Sequence, residues 1–263
     1  MARIFAITNQ KGGVGKTTTC VNLAASLAAA NRRVLLVDLD PQANATMGSG
    51  VDKRTLRATV YELLIGTAGI RAVRLRAPAG AYDLLPANRE LAGAEVEMVD
   101  LERRELRLKE ALLQLRDEYD FILIDCPPAL NLLTVNGLTA AQAVVIPMQC
   151  EYYALEGLSD LVATIRKVRG HLNPELEIEG LLRTMYDPRN TLAQQVSAQL
   201  IEHFGEKVYR TVIPRNVRLA EAPSHGVPAL SFDRTSKGAQ AYVALADEVL
   251  SRHEQTASTI SEG

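Results

Sequence analysis

The sequence predicts a single α/β domain: a doubly wound, mostly parallel sheet with helices on both faces. Three observations carry that prediction. Short apolar runs rich in Val and Ile alternate with longer stretches of helical period, the pattern of βαβ units. Apolar residues make up 47% of the chain and aromatics only 5%, with no Trp, so the interior must be built from Leu, Val, Ile and Ala, which suits helices stacked on a parallel sheet. A glycine-rich segment follows the first apolar run directly, giving a strand, a loop and then a helix. At 263 residues one such domain is feasible, and neither a repeat nor a linker interrupts the chain. The domain is expected to span residues 1–254.

Taken in order, strands are predicted at Ile4–Thr8, Val34–Asp38, Tyr82–Leu85, Phe121–Asp125, Ala143–Pro147, Glu179–Met185 and Val208–Ile213. The helix after the glycine-rich loop covers Thr18–Ala30. Leu101, Leu108, Leu112, Leu115 and Tyr119 recur on one helical face, with Glu102, Arg103, Lys109 and Glu110 around the other side, and read as a core stripe. Further helices fit Leu155–Leu172, Leu192–Phe204 and Gly238–Arg252. Residues 48–80, with scattered Gly, Arg and Thr, read as a mobile surface excursion, and the polar stretch 255–263 as a disordered tail.

Composition narrows the function classes. The net charge of −2 gives no global attraction to nucleic acid, so any DNA contact must come from a local cluster of Arg and Lys. Cys20, Cys126 and Cys150 are far apart and odd in number, unlike a zinc or redox site, and read as small buried residues in a reducing cytosol. His171, His203, His225 and His253 share no spacing and suggest no ligand set. A strand begins almost at the N-terminus, leaving no room for a signal peptide, and no stretch approaches the ~20 apolar residues of a membrane span. A cytoplasmic protein with no membrane partner is expected.

Residues 9–19 read Asn-Gln-Lys-Gly-Gly-Val-Gly-Lys-Thr-Thr-Thr. The general phosphate-binding pattern is glycine, four residues, then Gly-Lys-Ser/Thr. Gly15-Lys16-Thr17 satisfies its end, while Gln10 occupies the place of the first glycine. A second lysine, Lys11, stands ahead of Gly12 and Gly13, and this Lys-Gly-Gly-x-Gly-Lys-Thr form marks the deviant Walker A subclass of P-loop ATPases. The loop Gly12, Gly13, Val14, Gly15 would cradle phosphates with its N–H groups. Lys16 would reach the β and γ phosphates, the Thr17 hydroxyl would ligate Mg²⁺, and Thr18 would donate to an inner phosphate. ATP and Mg²⁺ are therefore the expected cofactors.

Asp38 and Asp40 end the second predicted strand, and Asp125 ends the run Phe121-Ile122-Leu123-Ile124. In an open α/β sheet ligands bind outside the carboxyl ends of the strands, which would bring all three carboxylates beside the P-loop. Asp125 is then the natural Walker B group for Mg²⁺ or its water, while Asp38 and Asp40 can serve the metal and the attacking water. The competing reading is helix capping, or turn formation by an Asp before Pro at Asp40-Pro41. Cys126-Pro127-Pro128 cannot continue a strand, so the chain must turn there.

From Ala2 to about Arg252 the chain resembles the ParA/Soj-type partition ATPases, in the ParA/MinD group of deviant Walker A proteins. The likeness rests on the loop, on Asp38-Leu39-Asp40-Pro41-Gln42, on Leu84-Leu85-Pro86-Ala87-Asn88, and on Ile213-Pro214-Arg215-Asn216-Val217-Arg218 with Glu221-Ala222-Pro223-Ser224. The resemblance implies that Lys11 reaches across an ATP-bound homodimer to the partner's phosphates and that Asp40 positions the hydrolytic water, which makes Lys11, Lys16 and Asp40 the catalytic set. It also implies that Pro214 and Asn216 flank the adenine.

Arg189, Lys207, Arg210, Arg215, Arg218, Arg234 and Lys237 outnumber their acidic neighbours in the C-terminal third. By composition alone these read as solvated surface. The resemblance singles out Arg189 and Arg218 as contacts to double-stranded DNA, made to the backbone without reading sequence. It further implies stimulation of hydrolysis by a ParB-like centromere-binding partner, nucleoid association, and segregation of a chromosome or plasmid origin. With the first strand at Ile4, no N-terminal helix-turn-helix domain and no operator-specific repression are expected. Three alternatives remain at this point: a MinD-like division-site ATPase, whose basic amphipathic C-terminal helix has no counterpart at Arg252–Ile260; a ParA-like cargo positioner; and a P-loop ligase or reductase.

Overall fold

The computed structural model describes the backbone of residues 1–261 and the side chains of residues 1–254. The tail expected at 255–263 lies outside the fully described residues. Among the described residues eight strands form one sheet: β1 Arg3–Ile7, β2 Val34–Asp38, β3 Leu75–Arg76, β4 Asp83–Leu85, β5 Phe121–Asp125, β6 Ala143–Gln149, β7 Glu177–Tyr186 and β8 Val208–Pro214. Their spatial order is β3-β4-β2-β5-β1-β6-β7-β8. Every pairing is parallel except that of the two-residue edge strand β3 with β4. The predicted strands are all present, and only β3 is unforeseen.

Strand alternation divides the core between two faces. In β2 and β5, Leu35, Val37, Ile122 and Ile124 face one layer, while Val34, Leu36, Phe121 and Leu123 face the other. Helices Ala154–His171 and Leu132–Ala140 cover the first face with Leu158, Leu161, Leu133 and Leu138. Helices Lys16–Ala29 and Lys237–Ser261 cover the second with Leu23, Leu27, Tyr242 and Leu245. Because both faces are buried, the strands read as continuous apolar runs, and that made them legible.

Two expectations are corrected, one for a helix and one for an irregular stretch. The stripe from Leu101 to Tyr119 is buried at Leu108, Leu112, Leu115 and Tyr119 but is not one helix. Arg103 takes a left-handed φ of 55°, a 3₁₀ turn follows, and the α-helix proper is only Arg107–Leu113. Asn136 on helix Leu132–Ala140 fixes this start from outside, accepting from the Leu108 N–H at 3.1 Å and donating to the Arg104 carbonyl at 2.9 Å. Within the stretch 48–80, residues 59–73 are packed against the core rather than forming a surface excursion. Helices Val60–Ile65 and Ile70–Val73 bury Val60, Leu63, Leu64, Ile70 and Val73 in the core. A capping box starts the first of these, the Thr59 side chain accepting from the Tyr61 N–H and Glu62 accepting from the Thr59 N–H. Thr59-x-x-Glu62 before an apolar run is a signal present in the sequence.

Candidate nucleotide site and arginine surface

The parallel register brings the functional ends of three strands together. Ile7 pairs with Asp125, and Asp125 pairs with Asp38, so the loop after β1 and two carboxylates emerge side by side at the middle of the sheet. Gly13 and Gly15 of that loop have φ of 74° and 88°, which a β-carbon would strain. A β-carbon on Gly12 or Gly13 would meet no protein atom, so that side of the loop is open space. Helix Lys16–Ala29 then starts with neither a capping side chain nor an acidic residue in its first turn, leaving its leading N–H groups for an anion.

The loop is braced from the side of β6 and β7. Asn9 accepts from the Lys11 N–H at 3.0 Å and donates to the Pro147 carbonyl at 2.8 Å. The Thr184 hydroxyl donates to the Val14 carbonyl at 2.8 Å. Gln149 reaches the Gly13 carbonyl at 3.4 Å. Sequence reasoning missed all three braces, because each joins residues more than a hundred positions apart.

The two loop lysines occupy contrasting settings. Lys16 is only 8% exposed, and its Nζ donates to the Lys11 carbonyl at 3.1 Å. Burial lowers its affinity for a proton, and the carboxylates of Asp125 and Asp40 work against that loss. Lys11 turns outward, its side chain 47% exposed and ion-paired to Glu151 in the loop after β6.

Asp38 is fully buried with both oxygens engaged. Oδ1 accepts from the Asp40 N–H at 3.1 Å, and Oδ2 accepts from the Thr46 N–H at 2.8 Å and the Thr46 hydroxyl at 2.7 Å. It thereby fixes the segment that carries Asp40. Asp40 itself makes an Asx turn to the Gln42 N–H at 2.9 Å, so the turn role and the position beside the loop are both present. Asp125 is buried and less satisfied: Oδ1 accepts from the Cys20 thiol at 3.5 Å, the Thr17 hydroxyl lies beside the group, and Oδ2 has no partner. Burial first and the facing Asp38 charge second push its carboxyl well above the ordinary range.

An orphaned carboxylate oxygen in a buried site suits a cation or its water. Among the described residues no group of three acidic, His or Cys side chains is arranged to hold a metal unaided. That suits Mg²⁺, which keeps several waters and is bound through one or two carboxylates together with phosphate oxygens.

Pro214 ends β8, and Asn216 caps the next helix, Val217–Glu221, by accepting from the Arg218 N–H at 3.1 Å. Arg189 and Arg218 follow the carboxyl ends of the adjacent strands β7 and β8, at the same end of the sheet as the loop. Both are ion-paired. Arg189, its side chain 88% exposed, forks onto Asp187 at 2.9 and 3.0 Å. Arg218, 50% exposed, pairs with Glu221 at 2.8 Å and Asp233 at 3.3 Å, with its guanidinium 5.9 Å from the Phe232 ring centre.

An AAA domain model matches residues 2–178. The chain is 55% identical over 249 residues to the sporulation initiation inhibitor protein Soj of Bacillus subtilis, covering 95% of this chain and 98% of that protein. It belongs to the ParA/Soj family of partition ATPases. The fold is shared with the cell division ATPase MinD of Pyrococcus furiosus, at a TM-score of 0.79 and 28% identity over 95% of this chain and 99% of that one. A structure described as cobyrinic acid a,c-diamide synthase from Mycobacterium smegmatis, with bound ADP and magnesium, superposes at a TM-score of 0.85 with 40% identity, covering 98% and 97% of the two chains. ParA/Soj membership makes this chain an ATPase of the partition type.

Proposed function

We propose that the chain is an ATP-dependent dimerising switch that binds DNA without sequence preference and segregates a chromosome or plasmid origin. One observation carries the reading: a single loop holds two lysines, Lys16 buried toward the carboxylates and Lys11 outward and paired only to exposed Glu151. The buried cation serves the chain's own nucleotide. The outward one is free to exchange its surface partner for a phosphate of a second copy at small cost.

Within that switch the N–H groups of residues 12–18 bind the phosphates, and Thr17 and Asp125 hold the metal, with Asp38 adding its charge behind them. Bound Mg²⁺ neutralises charge on the phosphate oxygens. Asp40 orients the attacking water. Pro214 and Asn216 flank the adenine at the β8 edge. The ATP dimer doubles the Arg189 and Arg218 surface, which explains DNA binding by a chain of net charge −2. A ParB-like partner stimulates hydrolysis, and the protein acts in the cytoplasm on the nucleoid. The 55% identity to Soj favours this reading over a ligase, for which the support is a 40% identical structure.

The test is a pair of substitutions read by fluorescent-ATP titration and by size analysis with ATP. Lys16→Ala should weaken ATP binding about 10- to 100-fold, the equivalent of ~1.5–3 kcal/mol for a hydrogen bond to a charged group. Lys11→Ala should bind ATP as the parent does and remain monomeric. A Lys11→Ala protein that dimerises fully would remove the switch.

A further inference from the structure

We infer that Thr184, on β7, is a positioning residue for the phosphate loop: it aims the Gly15 N–H into the cradle by pinning the peptide that carries it. The inference deepens the nucleotide-binding reading of the loop and rests on it. Its basis is the planarity of the peptide unit, in which the carbonyl of one residue and the N–H of the next point in opposite directions. The Val14 carbonyl and the Gly15 N–H belong to one such plane. Thr184 is 2% exposed, and its hydroxyl donates to the Val14 carbonyl at 2.8 Å, drawing that oxygen toward β7. The Gly15 N–H, on the opposite edge of that peptide, is thereby turned away from β7.

Three further observations support a dedicated contact. The Thr184 methyl lies 3.7 Å from where a Gly15 β-carbon would stand, so the side chain seats against the loop as well as bonding to it. The β7–β8 register shifts between Arg183 and Tyr186, and Met185 inside that shift has a left-handed φ of 48°, a conformation unusual for a residue with a side chain. Arg183, one position before, points elsewhere, donating to the Ser197 hydroxyl at 2.9 Å and the Tyr209 carbonyl at 2.8 Å. The irregular strand end thus presents one buried hydroxyl to the loop. Without it the peptide can flip, since glycine at position 15 imposes no preferred orientation.

Thr184→Val keeps the shape and removes the donor, whereas Thr184→Ser keeps the donor and removes the methyl. Fluorescent-ADP titration should show Thr184→Val binding about tenfold or more weakly, with Thr184→Ser within about threefold of the parent, and unfolding midpoints without nucleotide alike for all three. If Thr184→Val does not fold, Thr184→Cys carries the same comparison, because a thiol is a weaker donor of serine's size, and should fall clearly below Thr184→Ser. Valine binding ADP like the parent, or serine failing as valine does while folded, or cysteine matching serine, would overturn the inference. A parent chain that does not bind ADP would instead remove the nucleotide reading, and the inference with it.

Discussion

The phosphate loop and the arginine surface lie at the same end of the sheet, yet their side chains are held in opposite ways. Around the loop, Asn9, Asp38, Thr46 and Thr184 are buried and hydrogen-bonded to one another's backbones or side chains or to the loop itself, so the cradle exists before any ligand arrives. On the surface, Arg189 and Arg218 are half or more exposed and rest on Asp187, Glu221 and Asp233. A site that binds through oriented N–H groups must be rigid in advance. A surface that binds phosphate backbones needs only reachable charge, and exposed ion pairs worth about 0–1 kcal/mol exchange easily.

The largest effect expected on the buried side is at Asp40. Asp40→Ala should lower ATP turnover by about a hundredfold or more, the scale seen when one preorganised catalytic group is removed, while ATP affinity stays within about threefold. Parallel nucleotide titration and phosphate-release assays decide it. If both quantities collapse together, Asp40 is a turn residue of the cradle, and the division between binding and chemistry fails there.

On the exposed side, Arg189→Glu/Arg218→Glu should weaken binding to unrelated DNA sequences equally while leaving ATP affinity unchanged. Removing one arginine–phosphate interaction should flatten the plot of log affinity against log salt by ~0.9. An unchanged slope would move the DNA surface elsewhere. The smallest effect is expected from Asp187→Asn, which frees Arg189 from its fork. DNA affinity should rise by no more than about fivefold, in line with the ~0–1 kcal/mol of an exposed pair. A fall instead would mean that Asp187 holds Arg189 in its working orientation.

The same contrast explains what is legible in the sequence. The seven main strands, Asp38 and Asp125 at their ends, and the glycine loop are local patterns, readable from consecutive residues. The split of the Leu101–Tyr119 stripe is not, because Asn136, from a different helix, decides where the helix at Arg107 begins. The braces on the loop are hidden for the same reason: Thr184 and Val14 are 170 positions apart. Residues 60–73 read as irregular although Thr59 and Glu62 signal a helix start, because scattered glycine and arginine mask a short apolar repeat. The DNA role proposed for Arg189 and Arg218 rests on family resemblance alone, since nothing in an exposed, ion-paired arginine marks it locally as a DNA contact.

If the fixed site governs the exposed one, the arginine surface engages DNA only when ATP has joined two copies. Cosedimentation with long DNA of unrelated sequence tests this directly, using Asp40→Ala to hold the ATP state, with ATP, ADP and no nucleotide in parallel. Sedimentation is expected with ATP alone, and adding Lys11→Ala should abolish it. Equal sedimentation in all three conditions, or sedimentation by the Lys11→Ala/Asp40→Ala protein, would contradict control of the DNA surface by the nucleotide.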